Sequence, residues 1–355
     1  MGKVLFFCPA LIAGGLERVL SVLSGALASH FDEVTYITWH DFPVFYDIDK
    51  RVNVVCAEKE IGSHSAWKRT KWLRRYVKVE NPDVLISFST PFNMISLVAL
   101  MGAGIKVVVS ERNDPAHFRW GCIAKIFRNL LYLKADGLLV QTETSKEHLW
   151  TPLAKRAVVI PNPILMDDHY IGSAIHSEMK PLIVSASRFV PQKKNDMIIR
   201  AFAEFLKCHP DYQLIIYGEG REKSRLEDLV SALGLNGKVV LPGAVPDVWD
   251  KMKCASLFVM ASEYEGMPNA LMEAMSLGLP CISTRVCGAI DIIKDGENGV
   301  LVNVNDEKAL LNAFLLIADN KGMREKLGRN AIHVAEEYDF SKIVSQWIGY
   351  INNFL

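Results

Sequence analysis

The residues best suited to chemistry are charged groups spaced along the second half of the chain. In "SRFVPQKKND", Arg188 and Lys193 follow an apolar, strand-like run. Two fixed cations at the carboxyl end of a strand suit a diphosphate, because preplaced positive charge stabilises the charge that develops on a departing phosphate. In "SEYEGMPNALMEAMSLGLP", Glu265 lies in a loop and Glu273 in a helix that Pro268 and Asn269 open. Proline fits the first helical turn, where its missing N–H has no intrahelical partner to lose. The amides of Met267, Asn269 and Ala270 can take hydroxyls or phosphate oxygens. Beyond them Glu273 has the two acceptor oxygens that a ribose diol requires. Its neighbours in "LMEAM" are apolar, a setting in which an unpaired carboxylate is costly.

The first half carries a second concentration of charge. "SAWKRTKWLRRYVKV", Ser65 to Val79, packs six Lys or Arg and three aromatics into fifteen residues. At 100° per residue Ala66, Thr70, Leu73 and Val77 form one stripe, and Lys68, Lys71, Arg75 and Lys78 form the opposite one. With Arg69 added to these cations, and with Trp67 and Trp72 flanking the basic stripe, this helix has the mixture expected where cations meet anionic lipid and rings sit at headgroup level. "FRWGCIAKIFRNLLYLKAD" repeats the mixture. A merely solvated helix face remains the alternative. Nucleic acid is disfavoured, because the net charge is zero and no nucleic-acid motif is present. Gly14 and Gly15, between a strand and a helix, let backbone approach an anion. "DID" at Asp47–Asp49 mimics a metal motif, but it sits in a polar turn without the convergent oxygens that a hard cation needs.

These groups need a scaffold, and the apolar pattern supplies one. Seven β-rich runs from "VLFFCP" to "AVVIPNP" alternate with amphipathic helical patterns, and six more follow from "LIVSAS" to "GVLV". Near-continuous apolar strands between helices indicate buried parallel sheets. The expected division is a Rossmann-like domain over 1–163, a linker over 164–180, a second Rossmann-like domain over 181–338, and a terminal helix over 339–355 packing back toward the first domain. The chain has 355 residues, half of them hydrophobic, enough for two cores. Residues 1–165 hold 20 basic and 15 acidic groups and the remainder 20 and 25, so an anionic partner should prefer the first half. The seven cysteines show no metal spacing and read as reduced thiols of a cytosolic protein. The N-terminal run reads as strand, glycine loop and helix rather than a signal peptide. No stretch reaches the length of about 20 apolar residues that a spanning helix needs.

In order and spacing the chain resembles the retaining GT-B glycosyltransferases of family four. The resemblance rests on Arg188 and Lys193 in "SRFVPQKK", "GEG" at Gly218–Gly220, "PGAVPDV", the spacing of Glu265 and Glu273, "LGLPCIST" and "DGENGVLV". It runs along nearly the whole chain and is strongest over 181–303; the motifs are specific as a set and not singly. It implies an α/β fold of two Rossmann-like domains whose parallel sheets face a central cleft. It implies that Arg188 and Lys193 bind the donor diphosphate, Glu265 lies by the donor sugar, and Glu273 holds the ribose. Gly15, Gly218, Val245, Gly266, Met267, Pro268, Asn269 and Ala270 would complete the donor pocket. Two departures stand out: "SASR" replaces the usual glycine before the arginine, and "SERNDP" offers Arg112 where many members carry a histidine near the reacting sugar.

The implied chemistry is front-face substitution without metal or cofactor, in which the leaving diphosphate helps to deprotonate the incoming hydroxyl. The expected enzyme moves a hexose or N-acetylhexosamine from a nucleotide sugar, UDP-linked, to a polyprenyl-diphosphate glycan on the cytoplasmic face of the inner membrane. The rivals are a nucleotide-sugar epimerase, a transferase acting on a soluble sugar phosphate, and a membrane-bound scaffold or sensor with a degenerate site.

Overall fold

The structure is a computed structural model that describes residues 2–12, 14–118, 120–245 and 248–355. The chain divides into two compact units, Met1–Pro163 with Phe340–Leu355, and Ile164–Asp339.

The first unit is built on seven parallel strands: β1 (Lys3–Cys8), β2 (Glu33–Thr38), β3 (Asn53–Cys56), β4 (Val84–Phe88), β5 (Lys106–Ser110), β6 (Gly137–Val140) and β7 (Ala157–Val159), in the order β3-β2-β1-β4-β5-β6-β7. Both faces are covered, which is why the strands read as unbroken apolar runs. Val4, Phe6 and Cys8 pack with Leu20, Leu23 and Leu27 of the helix Gly15–His30 and with Ile343 and Trp347 of the terminal helix Phe340–Asn352. Leu5 and Phe7 face the other way, toward Leu73, Leu97 and Leu131 of the helices Ala66–Glu80, Thr90–Ala99 and Gly121–Tyr132. Trp347 is 1% exposed, its ring 6.4 Å from Phe6.

The basic segment is the helix Ala66–Glu80, opened by the Ser65 hydroxyl accepting from the Lys68 N–H at 3.4 Å and closed by Asn81 in the left-handed region. Lys68, Lys71, Arg75 and Lys78 are exposed. Two expectations need correction. Arg69 does not belong to that surface: it is 5% exposed, its guanidinium lies 4.5 Å over the Trp39 ring, and it donates to the carbonyls of Trp39 at 2.7 Å and His64 at 2.8 Å. The buried stripe is therefore Arg69, Leu73 and Val77, with Ala66 exposed. Trp72 is half-buried and stacked on Tyr76 at 4.9 Å, packing against the core, whereas Trp67 is 68% exposed.

The second unit has six parallel strands: β8 (Leu182–Ala186), β9 (Gln213–Tyr217), β10 (Val239–Gly243), β11 (Leu257–Met260), β12 (Cys281–Thr284) and β13 (Val300–Val302), in the order β10-β9-β8-β11-β12-β13. From β8 the chain winds outward to β10 and then crosses back to place β11 on the other side of β8. From these two neighbouring strands the chain continues to opposite sides of the sheet, which makes their carboxyl ends a switch point, the position where open α/β sheets bind ligands. The segment 164–180 packs onto this unit: Ile164, Met166 and Ala174 are buried, and the Gly172 and Ala174 N–H groups donate to Ser276 and Leu277.

Candidate active site

At the β8–β11 switch point, the loop after β8 carries Arg188 and leads into the short 3-10 turn Pro191–Lys193 and the helix Asn195–Phe205. Its position is set by the "GEG" loop after β9. A Cβ on Gly218 would stand 1.8 Å from the Ser187 carbonyl oxygen, and one on Gly220 would stand 2.4 Å from that of Phe189. Only glycine allows this approach. The Ser187 N–H donates to Tyr217 at 2.9 Å and the Phe189 N–H to Glu219 at 2.8 Å, so backbone bonds clamp both sides of Arg188. Arg188 itself is exposed and makes no ion pair among the described residues.

The turn 191–193 is seated against the loop after β11. Gln192 Nε2 donates to the Tyr264 carbonyl at 2.6 Å, the Glu263 N–H donates to Gln192 at 2.8 Å, and Lys193 forms an ion pair with Glu265. The side chains of Lys193 and Glu265 are 14% and 10% exposed. Asn195 Nδ2 and Ser262 Oγ, on these same connections, are buried without a hydrogen-bond partner among the described residues, and polar atoms in that state call for an explanation.

Pro268 caps the helix Asn269–Ser276. Gly266, Met267 and Pro268 are buried, Asn269 and Ala270 half-buried, and the Leu271 and Met272 N–H groups are taken by the Pro268 carbonyl. Glu273, on this helix, is 7% exposed and accepts from Trp249 Nε1 at 3.1 Å. Trp249 belongs to the short helix Val248–Met252, just past half-buried Val245; Pro246 and Asp247 of the "PGAVPDV" motif lie outside the described residues.

Sequence reasoning missed two parts of this arrangement. Trp249 donates to Glu273, and an indole N–H confined near a buried carboxylate has few other acceptors. Gly288, at φ 74°, lies so close to the loop before the helix that a Cβ would sit 2.6 Å from the Gly266 carbonyl oxygen. The only signal for it was a glycine between a strand pattern and a helical one.

In the first unit, Gly15 opens its helix beyond β1 and Arg112 lies beyond β5. Arg112 Nη2 donates to Asn162 Oδ1 at 2.6 Å. Burial pulls its guanidinium down to about 10, against the opposing field of Glu17, and it stays a cation at neutral pH. Two residues on, Asp114 is buried and faces two histidines, with His148 Nδ1 at 2.8 Å and His117 Nδ1 at 2.9 Å from its two oxygens. Burial raises the Asp114 pKa, but the Ala116 N–H and both imidazoles outweigh it and hold the carboxyl below its ordinary range. These histidines went unnoticed in the sequence because thirty-one residues separate them. In the "DID" turn Arg51 grips both oxygens of Asp49, at 2.9 and 2.8 Å.

Two doubly wound parallel sheets with a cation–carboxylate pair and a buried, indole-held glutamate at a switch point define a GT-B transferase. Sequence comparison agrees: the family model "Glycosyltransferase Family 4" matches residues 13–167 and "Glycosyl transferases group 1" matches 168–334. The chain belongs to the family 4 GT-B glycosyltransferases. It is 29% identical to the GalNAc-alpha-(1->4)-GalNAc-alpha-(1->3)-diNAcBac-PP-undecaprenol alpha-1,4-N-acetyl-D-galactosaminyltransferase of Campylobacter jejuni, covering 99% of this chain and 98% of that one. It is 26% identical to the N-acetylgalactosamine-N,N'-diacetylbacillosaminyl-diphospho-undecaprenol 4-alpha-N-acetylgalactosaminyltransferase of the same organism, over 99% of this chain and all of that one. Among solved structures, Anabaena HepE with UDP and glucose shares the fold at a TM-score of 0.81 and 19% identity, covering 99% of this chain and all of that one.

Proposed function

We propose that this glycosyltransferase retains the configuration of the transferred sugar, needs no metal, and moves a hexose or N-acetylhexosamine from a UDP-linked donor to a glycan on a polyprenyl diphosphate. The observation that carries the donor half is the Lys193–Glu265 pair at the β8–β11 switch point. An ammonium has three donor hydrogens; Glu265 steers one and leaves two for the oxygens of a leaving diphosphate. Arg188 adds a second charge from the clamped loop. Such stabilisation is electrostatic, and losing one preorganised donor costs about 3 kcal/mol of transition-state binding. The bond from the acceptor oxygen to the sugar forms as the bond to phosphate breaks on the same face, and the departing diphosphate oxygen takes the acceptor's proton. Glu273, oriented by Trp249, holds the ribose.

The acceptor half is supported by the two Campylobacter relatives, whose names specify undecaprenyl-diphosphate glycans and whose lengths match this chain. Lys68, Lys71, Arg75 and Lys78 present exposed charge for such a diphosphate or for anionic headgroups, which suits a peripheral enzyme on the cytoplasmic face of the inner membrane. Among the described residues no helix is long and apolar enough to cross a membrane.

The test pairs a panel of UDP-sugars with a short-chain polyprenyl-diphosphate glycan, with and without EDTA, and reads the product anomer by NMR. Transfer with retention, unaffected by EDTA and abolished by Arg188→Ala or Glu273→Ala, is expected. An inverted anomer or a metal requirement would overturn the mechanism, and transfer to soluble sugar phosphates alone would overturn the acceptor.

A further inference from the structure

The helix Gly121–Tyr132 is apolar on two faces. Leu131 and Tyr132 turn into the core of the first unit. On its outward side Ile123, Ile126, Phe127 and Leu130 are 86%, 59%, 51% and 53% exposed, a stripe at i, i+3, i+4 and i+7 with the period of a buried face and nothing described covering it. Trp120, 54% exposed, stands at its N-terminal end. An amphipathic helix of a monomeric domain normally turns charge outward, and a contiguous apolar patch marks an interaction surface.

We propose that this face is the element that inserts into an anionic lipid bilayer, lying in the interface plane. The inference rests on the reading that the acceptor is lipid-linked, and it names the part of the protein that enters the lipid. Three observations select lipid over a protein partner. The helix has no acidic residue, and exposed Lys134, two residues beyond its end, continues the side of the stripe. The helix Thr90–Ala99 packs against both this helix and the basic helix Ala66–Glu80, so the apolar stripe and the exposed Lys68, Lys71, Arg75 and Lys78 occupy the same side of one sheet. Between them the outer surface adds Val98 and Met101, 50% and 58% exposed. Apolar insertion beside a band of cations, with a tryptophan at the boundary, is the chemistry of an interfacial helix. At about 1.5 Å per residue the helix is too short to span the membrane, so it lies flat.

The test uses the full chain in co-sedimentation with phosphatidylcholine vesicles, with and without phosphatidylglycerol. Changing Ile123, Ile126 and Phe127 together to Ser is expected to weaken binding to the anionic vesicles by roughly tenfold or more, since each buried apolar side chain adds to the partition energy. Melting temperature and turnover on a soluble short-chain acceptor should stay unchanged. Phe127→Leu, which keeps the apolar surface, should keep binding, and Leu316→Ser, at an exposed apolar site of the second unit, should have no effect. Equal binding by the triple variant, with polyprenyl-linked acceptors still used, would overturn this inference and leave the acceptor reading standing. Failure to use any lipid-linked acceptor would instead remove the acceptor reading. A wild-type dimer that the triple variant converts to monomer, by analytical ultracentrifugation, would make the face a self-association surface and overturn the inference.

Discussion

Lys193 and Glu265 are seventy-two residues apart in the chain and form one ion pair, largely withdrawn from water. The pair exists because β8 and β11 are neighbours, so that the connections leaving them meet. Removing one member of such a pair leaves the other charge desolvated and alone, which typically costs 3–5 kcal/mol.

Glu265→Gln is therefore expected to lower stability, read as a drop in melting temperature, and to reduce kcat by about a hundredfold or more through the loss of a steered cation. Lys193→Ala should reduce kcat similarly. In the double variant the losses should be far from additive, because each single change already breaks the same unit. Additive effects on kcat would mean that the two side chains act separately.

Trp249→Phe keeps an aromatic ring but deletes the hydrogen bond to Glu273. Losing one bond to a charged acceptor costs about 1.5–3 kcal/mol. The expected result is a donor KM raised by about tenfold or more with kcat little changed, since ribose binding is felt equally in ground and transition states. A fall in kcat at constant KM would place Trp249 in the reacting geometry instead.

Arg69 and Lys71 are two residues apart and should behave in opposite ways. Arg69→Met removes a buried guanidinium held by two carbonyls and the Trp39 ring, and it is expected to cost about 2–4 kcal/mol of stability. Lys71→Ser should leave the melting temperature in place and weaken binding to anionic vesicles. Chemical denaturation and vesicle sedimentation on the same pair of variants separate the two roles; an unchanged denaturation midpoint for Arg69→Met would contradict the buried assignment.

Glu111 supplies a pH test. It is buried and accepts from the Thr90 hydroxyl at 3.0 and 2.8 Å and from the Tyr132 hydroxyl. Burial pushes its carboxyl above the ordinary range, with Tyr132, Arg128 and Thr90 pulling back. Because the folded value is the higher one, its contribution to stability is full below the unfolded value of about 4.3 and is lost as pH rises through the folded value. Glu111→Gln should remove that loss, so its stability relative to wild type is expected to improve between acid and neutral pH. Parallel stability curves for the two proteins would contradict the raised value.

Much of the scaffold and part of the site were legible in the chain. Among the described residues the thirteen strands follow the apolar runs to within one residue, Lys3 and Glu33 standing just outside, because a strand covered on both faces is mostly apolar. The burial of Glu273 was legible too, in the apolar residues on either side of it. The partnerships were not. A helical period sorts side chains into faces but names no partners: it placed Ala66 inward, where the structure exposes it, and the carbonyls of Trp39 and His64 that hold Arg69 inward lie outside the helix. By itself the sequence determined the element types, the glycines and the inventory of charged groups, all of which follow from local sterics and periodicity. Tertiary structure alone decided that β11 lies beside β8, that Lys193 meets Glu265, that Trp249 holds Glu273, and that one helix is left with an uncovered apolar face. Those outcomes depend on strand order and long-range packing, which local preference does not encode.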